Sequence, residues 1–393
     1  MSGTKVILLR STDTGAPVLS GTAGALVALL DACLQDGYNS KTPSGVTRTG
    51  STATFTYATA HGYAADGLTK VLIAGADQAE YNGIFQISNV STLSFDVTVT
   101  GTPATPATGT ITTKAAPLGW SKAFSGTNKA AYRSNEVAGT KLYLRVDDTT
   151  DSGKSAGIRG YETMTDVDTG TGLFPTVAQL TPGIILTKSS AVDNAARSWI
   201  LVGDGFEFLL FIAAFPAIYE NIYDSFHFGD IYPEMASDPY GCLIYGNAIL
   251  ATYVGGGGNF TGKVLKLNTT QPGHYFARGY SQAGTAIGAG KLGNYAACGD
   301  TYPMGSDDAG LMAYPAPHNN GFYVSPVFAC DGAVLRGQIK GLWQPLHIRP
   351  LGHAGLLAVN ESPINRRLFS IKISYSASSS PGEVCLDIDG PWR

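Results

Sequence analysis

The sequence predicts a mainly β protein: a β-sandwich-like main domain with one N-terminal amphipathic helix, and a small β-sandwich or barrel inserted within it. Three observations lead there. Stretches of alternating apolar and polar residues recur between turn-forming residues, most cleanly in KLYLRVDD (141–148) and LFSIKISYS (368–376). A period of two is the signature of a half-buried strand. One segment alone, Thr22 to Gln35, convincingly places its apolar residues at helical spacing. From 45 to 115 charge falls below the average of the chain and threonine, alanine, valine and glycine dominate, which marks a unit of different composition.

In chain order, residues 1–10 alternate well enough for a strand, and STDTGAPVLSG after them is irregular. In the helix, Leu26, Leu29, Leu30 and Cys33 form one stripe; Ser20 or Thr22 can cap its start and Gly37 can end it. A lone amphipathic helix has to bury that stripe, on the main sheet or on a neighbouring subunit, so Leu26 and Leu30 are candidate interface residues. STATFTYATA, KVLIAG, GIFQISNV, LSFDVTVT and GTITTK are the five strands expected in the small unit. His61, before Gly62, reads as a hydrogen-bonded turn residue, and Tyr81-Asn82-Gly83 as a tight turn with left-handed asparagine and glycine. Aromatic strands resume beyond 116 without a linker. The economical division is a main domain of 1–44 and 116–393, with 45–115 inserted in a surface loop and projecting from it. Insertion between nearby chain ends costs little entropy. WILVGDGFEFLLFIAAFPAIY (199–219) is split by Gly203-Asp204-Gly205 and Glu207, so it reads as two buried strands joined by an Asp-Gly hairpin with positive φ. The glycine- and tyrosine-rich region 255–345 is expected to carry long, ordered loops.

The stretch 54–111 carries a set of marks: His61-Gly62, then Val71-x-Ile73-x-Gly75, Tyr81-Asn82-Gly83 with Phe85, the aromatic Phe95, and Pro106-Ala107-Thr108-Gly109-Thr110. In these it resembles a small β-module that recurs in virion proteins of tailed bacteriophages. STDTGAPVLSGTAGALVALLDACLQDGY (11–38) is similar to the opening of phage structural proteins that begin with a strand, a threonine- and glycine-rich loop and one helix. The resemblance implies a structural role and brings no catalytic residues with it.

Composition narrows the function further. Only 14% of the 393 residues are charged and the net charge is −4, against about 25% charged residues in an ordinary soluble domain. Low charge makes broad surfaces cheap to desolvate against other chains. Without a basic run or basic–aromatic interleaving, nucleic-acid binding through phosphate contacts is not expected. The first residues, MSGTKVILLRSTDTGAP, hold too short an apolar run for a signal peptide, and no stretch offers about 20 uninterrupted apolar residues for a membrane span. Cys33, Cys242, Cys298, Cys330 and Cys385 are scattered and read as buried reduced thiols.

Several motifs invite a chemical reading. Gly279-Tyr280-Ser281-Gln282-Ala283 is one residue short of the turn that presents a nucleophilic serine, and Asp300, Asp331, His347 and His353 follow in hydrolase order. The glycines that come next oppose the helix such a turn needs, so Ser281 is expected to tie down a loop. GGGGNFTGKV (255–264) has phosphate-loop spacing, but Val264 stands where a magnesium-binding hydroxyl belongs. His347 and His353 have no nearby carboxylate to complete a metal set; Trp343 and Arg349 beside them suit a subunit contact. Asp147, Asp148, Asp151, Asp166 and Asp168 read as solvated acidic loops, lacking a calcium-loop pattern. Glu207, Asp224, Asp230, Glu234 and Asp238, in or near an aromatic-rich stretch, are the set from which a glycan-cleaving pair would come.

The expectation is a non-enzymatic virion structural protein of a tailed phage, an accessory tail or baseplate component assembled in the host cytoplasm, without cofactors. Its partners are copies of itself and other virion proteins, with Leu26, Leu30, Trp343 and Arg349 as candidate contacts. The alternatives are a head decoration, head-fibre or head–tail joining protein, and a tail protein that binds or cleaves host surface glycan.

Overall fold

The structure is a computed structural model and describes residues 5–149, 154–181, 183–214, 223–235, 238–246, 273–292, 321–332, 334–346, 355–361, 364–373 and 382–393. The fold is mainly β, and its centre is one large antiparallel sheet. From one edge the strands run Ile7–Arg10, Ser198–Gly203, Glu207–Ala213, Asp224–Asp230, Cys242–Tyr245, His274–Phe276, Ile287–Leu292, Val324–Asp331, Val334–Pro345, Gly382–Asp387, Ile364–Ile373 and Gly355–Glu361. A two-residue strand, Tyr232–Pro233, adds to Val334–Pro345.

The near-continuous apolar strands of this sheet follow from what covers its two faces. Trp199, Leu201, Phe208, Leu210 and Ile212 point to one side, into a core shared with the helix and a second, five-stranded sheet. That sheet runs in the order Ile184–Thr187, Ser155–Tyr161, Tyr143–Asp147, Lys129–Arg133 and Ser121–Gly126. Ile200, Val202, Leu209 and Phe211 point to the other side, where they meet Ile339, Leu342, Ile371 and Val384 from the far strands of the same sheet. The sheet therefore curls back on itself, and a strand buried on both faces has no polar side to alternate with.

The hairpin at 203–208 forms as the sequence predicts, by a different device. Gly205 does not take positive φ. Instead the buried Asp204 carboxylate accepts the N–H groups of Phe206 (2.7 Å) and Glu207 (3.1 Å), and a Cβ at residue 205 would collide with the Glu136 side chain. The helix also forms, as an α-helix at Ala25–Leu30 that widens into a π-helical turn, Asp31–Asp36, and stops at Gly37 with φ 71°. Leu26, Leu29, Leu30, Cys33 and Leu34 are enclosed by this chain's own sheets. Leu26 and Leu30 are thus core residues, which corrects their assignment to an interface. Neither Ser20 nor Thr22 caps the start: the Asp148 carboxylate, 122 residues away in sequence, accepts the Leu26 N–H at 2.9 Å.

Residues 38–115 form two further sheets. Tyr38–Lys41, Gly109–Ala115, Lys70–Ala76 and Gly83–Gln86 make one, and Gly45–Thr49, Thr52–Thr56 and Ser94–Thr98 the other. Between them lies a separate core in which Phe55 and Phe95 stack at 5.3 Å. His61 is buried against these rings: its Nδ1 accepts the Tyr63 N–H at 3.0 Å, so Nε2 carries the proton toward the Ser94 carbonyl, 3.3 Å away. Asn82 is extended, with φ −89°, and not left-handed. Its side-chain amide instead pairs with both backbone groups of Ala76.

The segment leaves and returns at one point, where Tyr38 pairs with Ala115. It is not merely a projection. Asp66 pairs with Arg10 on the first edge strand of the large sheet, and the Gly67 carbonyl accepts Arg367 Nη1 (2.9 Å) from a strand near the opposite edge. Leu68, between them, is buried in the large sheet's inner core. The 66–68 loop thus wedges the seam where the two edges of the curled sheet approach.

Lys70 lines the same seam, beside a cavity of about 20 Å³ bounded by Leu8, Tyr38 and Tyr63, room for about one water molecule. It has no ion pair among the described residues. Burial first, then the nearby Arg367, lowers its ammonium to about 8. The unfolded chain holds this proton up to about pH 10.4, so between those values unfolding takes up a proton and stability rises with pH. We expect Lys70→Met to raise stability by about 1–3 kcal/mol at pH 7. Thermal unfolding at pH 7 and pH 10 will show that advantage shrinking at the higher pH.

Candidate functional site

The titratable side chains of the large sheet gather in two places. In the first, His227 and Glu207 face each other across neighbouring strands, with Nε2 to Oε2 at 2.9 Å and both side chains fully buried. His227 Nδ1 lies 3.1 Å from the Leu243 carbonyl, which only accepts, so Nδ1 carries a hydrogen. One further proton is then held between Nε2 and the carboxylate. Arg393 approaches the other Glu207 oxygen at 3.5 Å and stacks over Phe206 at 4.3 Å. Close by, Asp230 accepts the N–H (2.6 Å) and hydroxyl (2.5 Å) of Thr140. Burial, and less strongly the Glu207 charge, raises the Asp230 carboxyl. Burial, then Asp230, holds the Cys242 thiol well above its ordinary range. Every member is enclosed and engaged, so this cluster stitches strands together.

The second cluster centres on Arg336. The Ala329↔Gly337 and Cys330↔Leu335 pairings leave Arg336 as an extra residue in its strand. Such a bulge re-aims a side chain, and here the guanidinium is fully buried. It donates to Asp238 (2.8 Å), Asp331 (3.0 Å) and the carbonyls of Arg278 (2.9 Å) and Tyr240 (3.0 Å), and lies 4.3 Å from the Phe276 ring centre. Asp331 also accepts the Tyr280 N–H at 2.5 Å, and Arg278 grips Glu162 through two bonds of 2.6 and 2.7 Å. One arginine thus ties together a hairpin tip, a turn and the segment around Tyr240.

Above this clasp the surface is apolar. Tyr232 (44% exposed), Met235 (52%), Tyr280 (43%), Val334 (37%) and Leu335 (37%) lie along one short ribbon and the adjoining turn. Tyr232 pairs with Gln338 and the Glu234 N–H bonds the Arg336 carbonyl, a ladder that carries Met235 past Leu335. The Tyr280 hydroxyl donates to the Met235 sulfur. Half of the large hydrophobic side chains exposed among the described residues are gathered here; scattered ones need no explanation, while a contiguous group marks a contact surface.

The residues singled out by sequence fall elsewhere. Ser281 is exposed on a turn closed by Gln282 (φ 61°), and a strand, Ile287–Leu292, follows where a nucleophile elbow requires a helix. Asp331 is committed to Arg336. Of the five carboxylates, Glu207 and Asp230 are sealed inside, Asp238 is bound to Arg336, Glu234 is exposed on the ribbon, and the Asp224 side chain lies outside what the structure describes. Asp148 is fully buried against Lys188, which corrects its reading as a solvated acid. Asp168 does lie at the surface, paired with Lys129 and Arg145. Trp343 is only half-exposed, packed on the small cluster of Leu368 and Cys385, so it is a weaker contact residue than its type suggested. Arg349, His347, His353, Asp151, Cys298, Asp300 and the 255–264 loop lie outside the described residues. The apolar ribbon escaped sequence reading; its one local sign was Pro233, a residue that sheets tolerate at edges.

No protein-family model and no curated protein matches this chain. Among the described residues, no group of three or more histidine, cysteine or acidic side chains is placed to hold a metal ion, and no helix is long and apolar enough to cross a membrane.

Proposed function

We propose that this chain is a structural protein of a tailed-phage particle, an accessory tail or baseplate component that works by joining neighbouring subunits. The observation that carries the reading is the apolar ribbon on its arginine clasp. Aromatic and methionine side chains over a base held by buried ion pairs are the composition of a protein contact, and rigidity before binding lowers the ordering cost. The likeness of residues 54–111 to phage virion modules and the low overall charge support it further. A head-associated role would use the same surface.

The test is incorporation. Purified protein added to particles lacking it is expected to co-sediment with them, and changing Met235 and Leu335 together to glutamate is expected to abolish this while leaving the circular dichroism spectrum intact. Wild-type protein that stays in the supernatant would overturn the proposal.

A further inference from the structure

Lys188 and Asp148 meet beside the helix start with both side chains fully enclosed. Asp148 follows the strand Tyr143–Asp147 and Lys188 follows Ile184–Thr187, the two strands that flank Ser155–Tyr161. Their backbones are pinned. The Asp148 N–H donates to the Asn128 carbonyl (2.9 Å) and the Lys188 N–H to the Lys154 carbonyl (2.8 Å). The sheet itself thus holds an amine against a carboxyl group, the proximity that turns a slow reaction between separate molecules into one within the chain.

As an ion pair the two are incompletely served. An ammonium has three hydrogens to donate. Among the described residues Lys188 Nζ has two acceptors, Asp148 Oδ1 and the Thr22 carbonyl. The other carboxylate oxygen, Oδ2, accepts the Leu26 N–H at 2.9 Å. Burial presses both groups toward their neutral forms, and the charge that opposes it at Lys188 is that of Asp148. A secondary amide in the same place would fit without remainder: it has one N–H for the Thr22 carbonyl and one oxygen for the Leu26 N–H.

We propose that Lys188 and Asp148 condense in the folded chain to an intramolecular amide, a covalent cross-link between the ends of these two strands. The ion pair is the form in which the chain folds. Transfer of a proton from nitrogen to Oδ1 leaves a neutral amine beside a carboxylic acid. The nitrogen lone pair attacks Cγ, and the electron pair of the C=O bond moves onto Oδ2, where the Leu26 N–H stabilises it. Collapse of this intermediate re-forms the C=O bond and breaks the bond from Cγ to Oδ1. Oδ1 leaves as water, with the proton it carries and one from nitrogen. No oxidant or further reactant is consumed. The cross-link closes a loop from 148 to 188, and such closure removes freedom from the unfolded chain. It is independent of the assembly reading above.

The experiment is mass spectrometry of the full chain, freshly purified and after prolonged incubation in the folded state. A fraction of wild type that grows with time is expected to be lighter by one water. Digestion and tandem mass spectrometry are expected to place the loss in a branched peptide joining Asp148 to Lys188. Wild type incubated in urea is expected to keep its full mass, which ties the reaction to the folded geometry without relying on a variant. Lys188→Arg keeps the charge but lacks the amine, so it is expected to keep its full mass as well. A folded wild type that stays at full mass would overturn the proposal. So would water lost equally in urea or in Lys188→Arg, or lost only elsewhere, as in an imide at an Asp-Gly step.

Discussion

Replacing Arg336 with leucine is expected to destabilise the protein by about 3–5 kcal/mol, because it strands two carboxylates in a place built around their counter-charge. The side chain is fully buried and holds Asp238, Asp331 and two backbone carbonyls. Lysine should rescue little: one ammonium cannot reproduce a planar fork that serves four acceptors and lies on the Phe276 ring. Converting Asp238 and Asp331 to asparagine in the leucine background should recover part of the loss, since the unpaired charges are then gone. Urea unfolding of the four proteins measures this. A loss below about 1 kcal/mol for Arg336→Leu would mean that the carboxylates reach water.

The second large effect concerns the helix. Lys188 and Asp148 are both fully buried and bond each other, and Lys188 also reaches the Thr22 carbonyl. Burial is the leading influence on both, raising the Asp148 carboxyl and lowering the Lys188 ammonium, with each partner opposing it. Each charge is tolerable only because of the other. Lys188→Met is expected to cost about 3–5 kcal/mol. Adding Asp148→Asn should restore most of it, since asparagine can still accept the Leu26 N–H. The same melts should show the loss of helical signal in Lys188→Met coinciding with global unfolding, because the helix packs into the main core.

How much was legible beforehand depended on the range of the interaction. The mainly β class, the single helix and all five expected strands of the small unit were visible, because alternation and helical spacing are local consequences of burying one face. The hairpin at 203–208 was visible too, although its turn is held by the Asp204 carboxylate and not by a left-handed glycine. What sequence hid was long-range. Nothing local marks Asp148 as the partner of a helix start 122 residues earlier, and so it passed for a surface acid. Leu26 and Leu30 were correctly read as one stripe, but a stripe does not say whether its cover comes from the same chain. The ribbon was hardest to see. Tyr232, Tyr280 and Leu335 come from three distant segments, and only the curl of the sheet and the bulge at Arg336 bring them together.

The wedge at 66–68 has a consequence for how the chain reaches its final form. Strand Ile7–Arg10 precedes the other strands of its sheet in the chain, and its outer rim is an open template for stray pairing. The loop that guards it belongs to a unit with its own core, made of residues close in sequence, and such units fold early. The insert therefore sets a separately cored unit against that rim, and is expected to keep the open edge from sticking to neighbouring chains.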